Sequence, residues 1–205
     1  MQRRQIPRYD FTERALHWAS AISFLAATFT GLALWSHKLY WLASVFGGGS
    51  ATRFAHPWAG VLFALAFGMI CKNWARYMKF DADDKEWMRQ SHRYAMNDEE
   101  GLPESGRFNA GQKMLFWFQA LAGTVLFLTG LVLWFPEYLG RTPRLLAIAL
   151  HPLAGLGAIG MIILHIYMST AAVPGALHAM IRGTVSAGWA KAHHPKWLRE
   201  ITNGR

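Results

Sequence analysis

The chain has 205 residues, 53% of them hydrophobic, with 10 Trp, 13 Phe, one Cys and a formal net charge of +9. That is one domain's length, and a single thiol excludes an internal disulfide and a cysteine-held iron–sulfur cluster. The mean hydropathy of +0.12 averages very apolar stretches with charged connections, so the basic balance points to membrane orientation and anionic lipid; no nucleic-acid partner is expected.

A basic tail opens the chain, with Arg3, Arg4, Arg8 and Arg14. Arg3-Arg4 does not run straight into an apolar segment and no small-residue cleavage site follows, so an uncleaved first helix is expected. Residues 15–37, 54–71, 114–136 and 145–181 lack Lys, Arg, Asp and Glu altogether. Each is about the ~20 residues that cross a hydrocarbon core as helix, or longer. A soluble bundle would show a charged outer face on such helices. The expected fold class is all-α: a four-transmembrane-helix bundle forming one integral membrane domain over 1–205.

The first span is predicted over about 15–35. A short outer connection follows, with Gly47-Gly48-Gly49-Ser50 as its turn. The second span covers about 56–76, with Pro57 in a first turn where its missing N–H costs nothing. A charged loop, 77–109, carries Asp-Asp-Lys-Glu and Asn-Asp-Glu-Glu runs and a short amphipathic helix around 84–93. The third span, 112–135, stops at Pro136. The fourth covers about 145–172, before Pro174-Gly175, and 174–205 is a tail. Trp35, Trp41, Trp58, Trp74, Trp117 and Trp134 fall near predicted interfaces, as an aromatic belt would. Seventeen Lys and Arg lie in the two tails and the 72–113 segment, against four in the other connections. The positive-inside rule places both termini in the cytoplasm.

Of nine histidines, His37, His92, His178, His193 and His194 fall in loops, helix ends or tails and need no special account. His17, His56, His151 and His165 fall in spans or their first turns, where polar groups are rare and usually functional. His151 and His165 are fourteen residues apart. In a helix that is about 1400°, close to whole turns, with a rise of roughly 21 Å. One face therefore presents two imidazoles at two depths. A His-Pro-x-Ala-Gly string also occurs twice, at 56–60 and 151–155. Depth pairs His56 with His151 on the outer side and His17 with His165 on the inner side. Such pairs suit two stacked haems. A bis-imidazole haem has no open position, so it moves electrons rather than binding oxygen. Gly60 and Gly155 follow the outer histidines by four residues, and Gly31 follows His17 by fourteen, leaving room for a porphyrin; glycines also recur in ordinary transmembrane helix contacts. Zinc would need three or four ligands at one depth. The spans hold no carboxylates for an antiporter, and no inverted repeat is visible. A haem-free anchor or transporter, with the histidines making interhelical hydrogen bonds, is the remaining alternative from these residues.

Longer strings carry a resemblance. Arg-Tyr-x-x-x-Glu-Arg-x-x-His-Trp at 8–18, His-Pro at 56–57, Asn-Ala-Gly-Gln-Lys at 109–113, the two histidines of the fourth span, and Trp-Ala-Lys-x-His-His-Pro-x-Trp at 189–197 resemble the cytochrome b (gamma) subunit of respiratory formate dehydrogenase over nearly the whole chain. The resemblance implies two haems b ligated by His17, His56, His151 and His165. It implies a quinone site at Asn109, Gly111 and Gln112 beside the inner haem; by itself, that string reads as a helix start with Asn109 as N-cap. It implies an iron–sulfur (beta) subunit on the periplasmic face and a molybdenum- or tungsten-containing catalytic (alpha) subunit that oxidises formate. It further implies a bacterial inner membrane location and electron flow from the outer to the inner haem, then to quinone at the cytoplasmic side. Formate-oxidising chemistry would lie in the partner. Cytochromes b of nickel–iron hydrogenase and thiosulfate reductase share the haem logic. Arg8, Arg14 and Arg53 are candidates for haem propionates, or for solvated and lipid-facing positions.

Overall fold

A computed structural model describes residues 5–96, 98 and 101–203. Arg3, Arg4, three of the four residues in the Asn-Asp-Glu-Glu run (Asn97, Glu99, Glu100), Gly204 and Arg205 lie outside the described residues. The elements are β1 (Gln5–Pro7), α1 (Phe11–Trp35), a 3-10 helix (His37–Phe46), α2 (Gly49–Trp74), α3 (Ala82–Arg89), α4 (Ser91–Ala95), α5 (Ala110–Trp134), α6 (Arg141–Tyr167), α7 (Ala176–Arg182), β2 (Thr184–Ser186), α8 (Ala187–His193) and α9 (Pro195–Asn203). The chain divides into two compact units, residues 15–72 with 119–161, and residues 1–14, 73–118 and 162–205.

Four helices are long and apolar enough to cross a membrane: Phe11–Trp35, Gly49–Tyr77, Ala110–Trp134 and Arg141–Ala172. Their large apolar side chains point outward; Ile22, Leu62, Leu65, Leu153 and Ile163 are all at least 60% exposed. Water would penalise that surface and acyl chains do not, so this is an integral membrane protein.

Three expectations about these elements change. α2 and α6 begin earlier than the apolar runs do, because a helix does not need apolar side chains and its first turns accept Ser, Thr and Arg. Pro57 therefore lies inside a helix rather than in a first turn, and Pro152 lies inside α6 as its span implied. Each removes the N–H that would bond the carbonyl four residues back, at Arg53 and Ile148. An interior proline costs about 3 kcal/mol. The outer connection is not simply a glycine turn but a 3-10 helix, closed by Gly47 in the left-handed region. The predicted helix at 84–93 is split into α3 and α4, and Asp81 and Asp84 cap α3 reciprocally.

The C-terminal tail is folded. β1 pairs antiparallel with β2, Gln5 opposite Ser186 and Pro7 opposite Thr184, a small β-ladder in an otherwise helical chain. Arg8 and Tyr9 both donate backbone N–H groups to the Gly183 carbonyl. Gly183 has φ +79°, and a Cβ there would lie 2.7 Å from the Tyr9 carbonyl oxygen, so only glycine fits.

His194 does need an account. It is 1% exposed, its Nδ1 donates to the Gly106 carbonyl at 2.8 Å, and its Nε2 accepts from Arg8 at 3.1 Å. The Arg8 guanidinium also donates to the Arg107 carbonyl and sits 4.4 Å from the Trp197 ring centroid. Arg8 is thus neither solvated nor lipid-facing: packing N- and C-terminal strands together buries it. Arg14 donates to the Ile181 carbonyl at 2.6 Å, and Arg53 is exposed. Trp74 likewise leaves the aromatic belt. It is buried and donates Nε1–H to Glu13 at 2.7 Å, the carboxylate that also holds Arg107 at 2.5 Å.

Candidate functional site

In the unit formed by 15–72 and 119–161, α2 brings His56 against α1, and α6 brings His151 against α5. Thr30 Oγ1 lies 3.0 Å from His56 Nδ1. The Thr30 hydroxyl spends its one hydrogen on the Ala26 carbonyl at 2.6 Å. The Ala27 carbonyl is also 3.1 Å from Nδ1. A carbonyl can only accept, so the His56 proton is on Nδ1 and the Nε2 lone pair is available. His151 repeats the arrangement. Its Nδ1 is 2.9 Å from Thr129 Oγ1, and Thr129 donates to the Val125 carbonyl at 2.6 Å.

The next residue on each supporting helix is glycine. A Cβ on Gly31 would come within 2.9 Å of His56 Cε1, and one on Gly130 within 3.4 Å of His151 Cε1. Gly31 therefore makes room for an imidazole. Gly60 has nothing within 4 Å of its Cβ position, and Gly155 meets only Leu126 Cδ2 at 3.8 Å. Sequence reasoning missed Thr30, Thr129 and Gly130, although Thr-Gly-Leu-x-Leu-Trp occurs at both 30–35 and 129–134. The signal was a second internal duplication, on the helices facing the duplicated His-Pro strings.

The two imidazoles face each other. Their ring centroids are 6.0 Å apart and their planes incline by 75°. Imidazole–metal bonds of about 2.0–2.1 Å on opposite sides of one ion bring two ring centroids to roughly 6 Å. Among the described residues no three His, Cys, Asp or Glu side chains converge as a metal cluster. The pair thus offers two ligands.

The other expected residues are placed as follows. His17 is half-buried on α1, edge-on to Trp18 at 5.3 Å. In the other unit, His165 is half-buried near the end of α6, and its carbonyl accepts from Ser169. A π-helical turn, Met168–Ala172, follows at once. Asn109 N–H donates to Gln112 Oε1 at 3.0 Å, and Gln112 N–H donates to Asn109 Oδ1 at 2.9 Å. This reciprocal cap starts α5. It leaves the amide NH2 groups as further donors. Gly111 packs under Trp87, whose Cη2 would be 3.3 Å from an added Cβ. Ala110 shares an apolar cluster with Trp87, Tyr94, Ala172 and Val173, and Met168 packs on it. The start of α5 is therefore beside the turn that follows His165.

These features define a class: a four-span integral membrane protein with a facing imidazole pair on neighbouring helices. The chain belongs to the prokaryotic cytochrome b561 family, whose model matches residues 8–183. It is 32% identical over 201 residues to the cytochrome b556(Fdn) subunit of the nitrate-inducible formate dehydrogenase of Escherichia coli K12, covering 97% of this chain and 92% of the relative. It is 33% identical over 205 residues to the cytochrome b556(fdo) subunit of formate dehydrogenase from the same strain, covering 98% and 96%. A formate dehydrogenase cytochrome b556 subunit of Haemophilus influenzae is 32% identical over 199 residues, covering 96% and 83%. Membership of a cytochrome b family implies haem b. The available Nε2 lone pairs, the ring spacing and the glycine cradle of this chain fit that group.

Proposed function

We propose that this chain is the cytochrome b subunit of a formate dehydrogenase and holds two haems b. His56 and His151 would ligate the outer haem; the facing rings 6.0 Å apart, with Nδ1 protonated, carry this reading. His17 and His165 would ligate the inner one. Sequence depth supports that pairing, and the fourteen-residue step from His151 to His165 along α6 supports the two-level spacing. When bound, the haems supply one-electron transfer from the periplasmic side to a quinone at the cytoplasmic side. Thr30 and Thr129 fix the imidazole tautomer and orientation, as hydrogen-bond partners of metal-bound histidines do. The prolines at 57 and 152 loosen the helix beside each outer ligand. Asn109 and Gln112 would donate amide N–H bonds to the quinone carbonyl, with Gly111 keeping the first turn narrow. By the same resemblance, an iron–sulfur beta subunit and a molybdenum- or tungsten-containing alpha subunit supply electrons from formate. The chain lies in a bacterial inner membrane with both termini cytoplasmic, as its seventeen-to-four Lys and Arg asymmetry favours.

Purified protein should show the reduced-minus-oxidised spectrum of bis-histidine haem b at about two haems per chain. One haem or none refutes the four-ligand scheme. His165→Ala should remove the inner haem and leave formate-driven reduction of the outer one. A hydrogenase rather than a formate dehydrogenase co-purifying with the chain would overturn the donor.

A further inference from the structure

The string at 109–113 ends in Lys113, to which the quinone reading above gives no role. Lys113 and Asp84 are each 6% exposed. Lys113 Nζ donates to Asp84 Oδ2 at 2.6 Å and lies 3.8 Å from Asp81 Oδ2. Asp84 Oδ2 also accepts the Asp81 backbone N–H at 2.7 Å. On α5, Lys113 is one turn beyond Asn109, and its backbone N–H donates to the Asn109 carbonyl at 3.0 Å. A buried ion pair is weak evidence of stabilisation, because desolvation offsets the attraction. Function is the stronger reason to keep this one.

From the pair a small cleft opens toward solvent between Asp81, Asp83, Asp84, Trp87, Glu104 and Lys113; its volume of about 10 Å³ is room for one water. Its lip is anionic. Asp81 is half-exposed and Asp83 more so, and Lys196 of α9 lies 3.9 and 3.7 Å from them; Glu104 is paired with Arg199. Burial by itself would raise the Asp81 carboxyl. The Asp84 backbone bond and the Lys113 and Lys196 charges outweigh it and hold the group below the usual carboxylate range. An acidic mouth raises the local concentration of cations, hydronium included.

We propose that Lys113 Nζ, held by Asp84, is the last proton-holding group between this cleft and the quinone site at Asn109–Gln112; the proposal rests on the quinone reading above. Quinone reduction consumes two electrons and two protons. The electrons would be supplied by the haem that His17 and His165 are proposed to hold. Each proton leaves the Lys113 ammonium for a reduced quinone oxygen, which becomes a hydroxyl while Nζ becomes an amine. Hydronium in the cleft then returns a proton to Nζ and is left as water. Asp84 remains a carboxylate and keeps Nζ in place. Lysine suits the task because an amine nitrogen can give up a proton and take it back, whereas a guanidinium does not deprotonate in proteins.

The test is Lys113→Arg in the whole complex with formate as donor and duroquinone as acceptor. Arginine keeps the charge opposite Asp84, so folding and the haem spectrum should be preserved. The expected result is a fall in kcat of at least ten-fold, the scale of a lost proton-transfer group. KM for duroquinone should be unchanged, the solvent isotope effect larger, and proton uptake followed by a pH-indicator dye slower. Asp84→Asn should slow uptake in the same direction. Wild-type kcat and proton uptake in Lys113→Arg overturn the relay alone. A wild-type complex that cannot reduce duroquinone overturns the quinone reading and the relay with it. A raised KM at unchanged kcat assigns Lys113 to binding and also overturns the relay.

Discussion

Gly31 and Gly130 occupy matching positions in the duplicated motif, yet the structure treats them unequally. A methyl group on Gly31 would lie 2.9 Å from His56 Cε1; on Gly130 the corresponding distance to His151 is 3.4 Å, already ordinary contact. Gly31→Ala must therefore move the His56 ring by about half an ångström. That exceeds the roughly 0.2 Å tolerance of a metal–ligand bond. Overpacking of this kind costs about 1–3 kcal/mol, or about 5- to 150-fold in haem affinity. Gly130→Ala should cost well under 1 kcal/mol. Haem retention per chain, measured by pyridine haemochrome after graded detergent washing, reports the difference. Gly31→Ala should lose the outer haem first, and its remaining outer-haem signal should be heterogeneous. Equal retention in the two variants, or greater loss in Gly130→Ala, would refute the idea that the glycines seat the imidazoles.

Thr129→Val removes the acceptor 2.9 Å from His151 Nδ1 and makes the imidazole a poorer donor to ferric iron. With a hydrogen bond worth about 0.5–1.5 kcal/mol, the outer haem potential should rise by roughly 20–65 mV; a redox titration reads it, and an unchanged or lower potential counts against the ligand assignment. Glu13→Gln breaks the Arg107 pair and weakens the Trp74 bond. It should destabilise the detergent-solubilised protein by about 1–3 kcal/mol, seen as a lower Tm; an unchanged Tm shows the contact to be dispensable. His194 should make stability depend on pH. Burial first, then the Arg8 charge, pushes its imidazole well below the ordinary range. The folded state therefore holds it neutral while the unfolded chain binds a proton below about pH 6.5. Stability should be fully present above that pH and fall as the pH drops from 7 toward 5, with His194→Gln flattening the fall. A stability that rises on acidification contradicts the burial argument.

The sequence by itself determined the four spans, because charge-free runs of about twenty residues or more have one stable home, a helix in lipid. It also picked out the four candidate histidines, since polar groups at membrane depth are costly enough to be noticed. Helix starts were not legible. Hydropathy marks where lipid begins, whereas the α2 and α6 backbones start at Gly49 and Arg141 among polar residues, which places Pro57 inside α2. Only the tertiary structure decided which neighbours serve the outer histidines. Thr30 and Thr129 are common transmembrane residues until an imidazole 3.0 or 2.9 Å away gives their lone pairs a task. The same holds for Arg8 with His194 and for Asp84 with Lys113. Partners 186 and 29 residues apart leave no periodic trace in the chain, because side-chain contacts across long loops are set by packing and not by spacing.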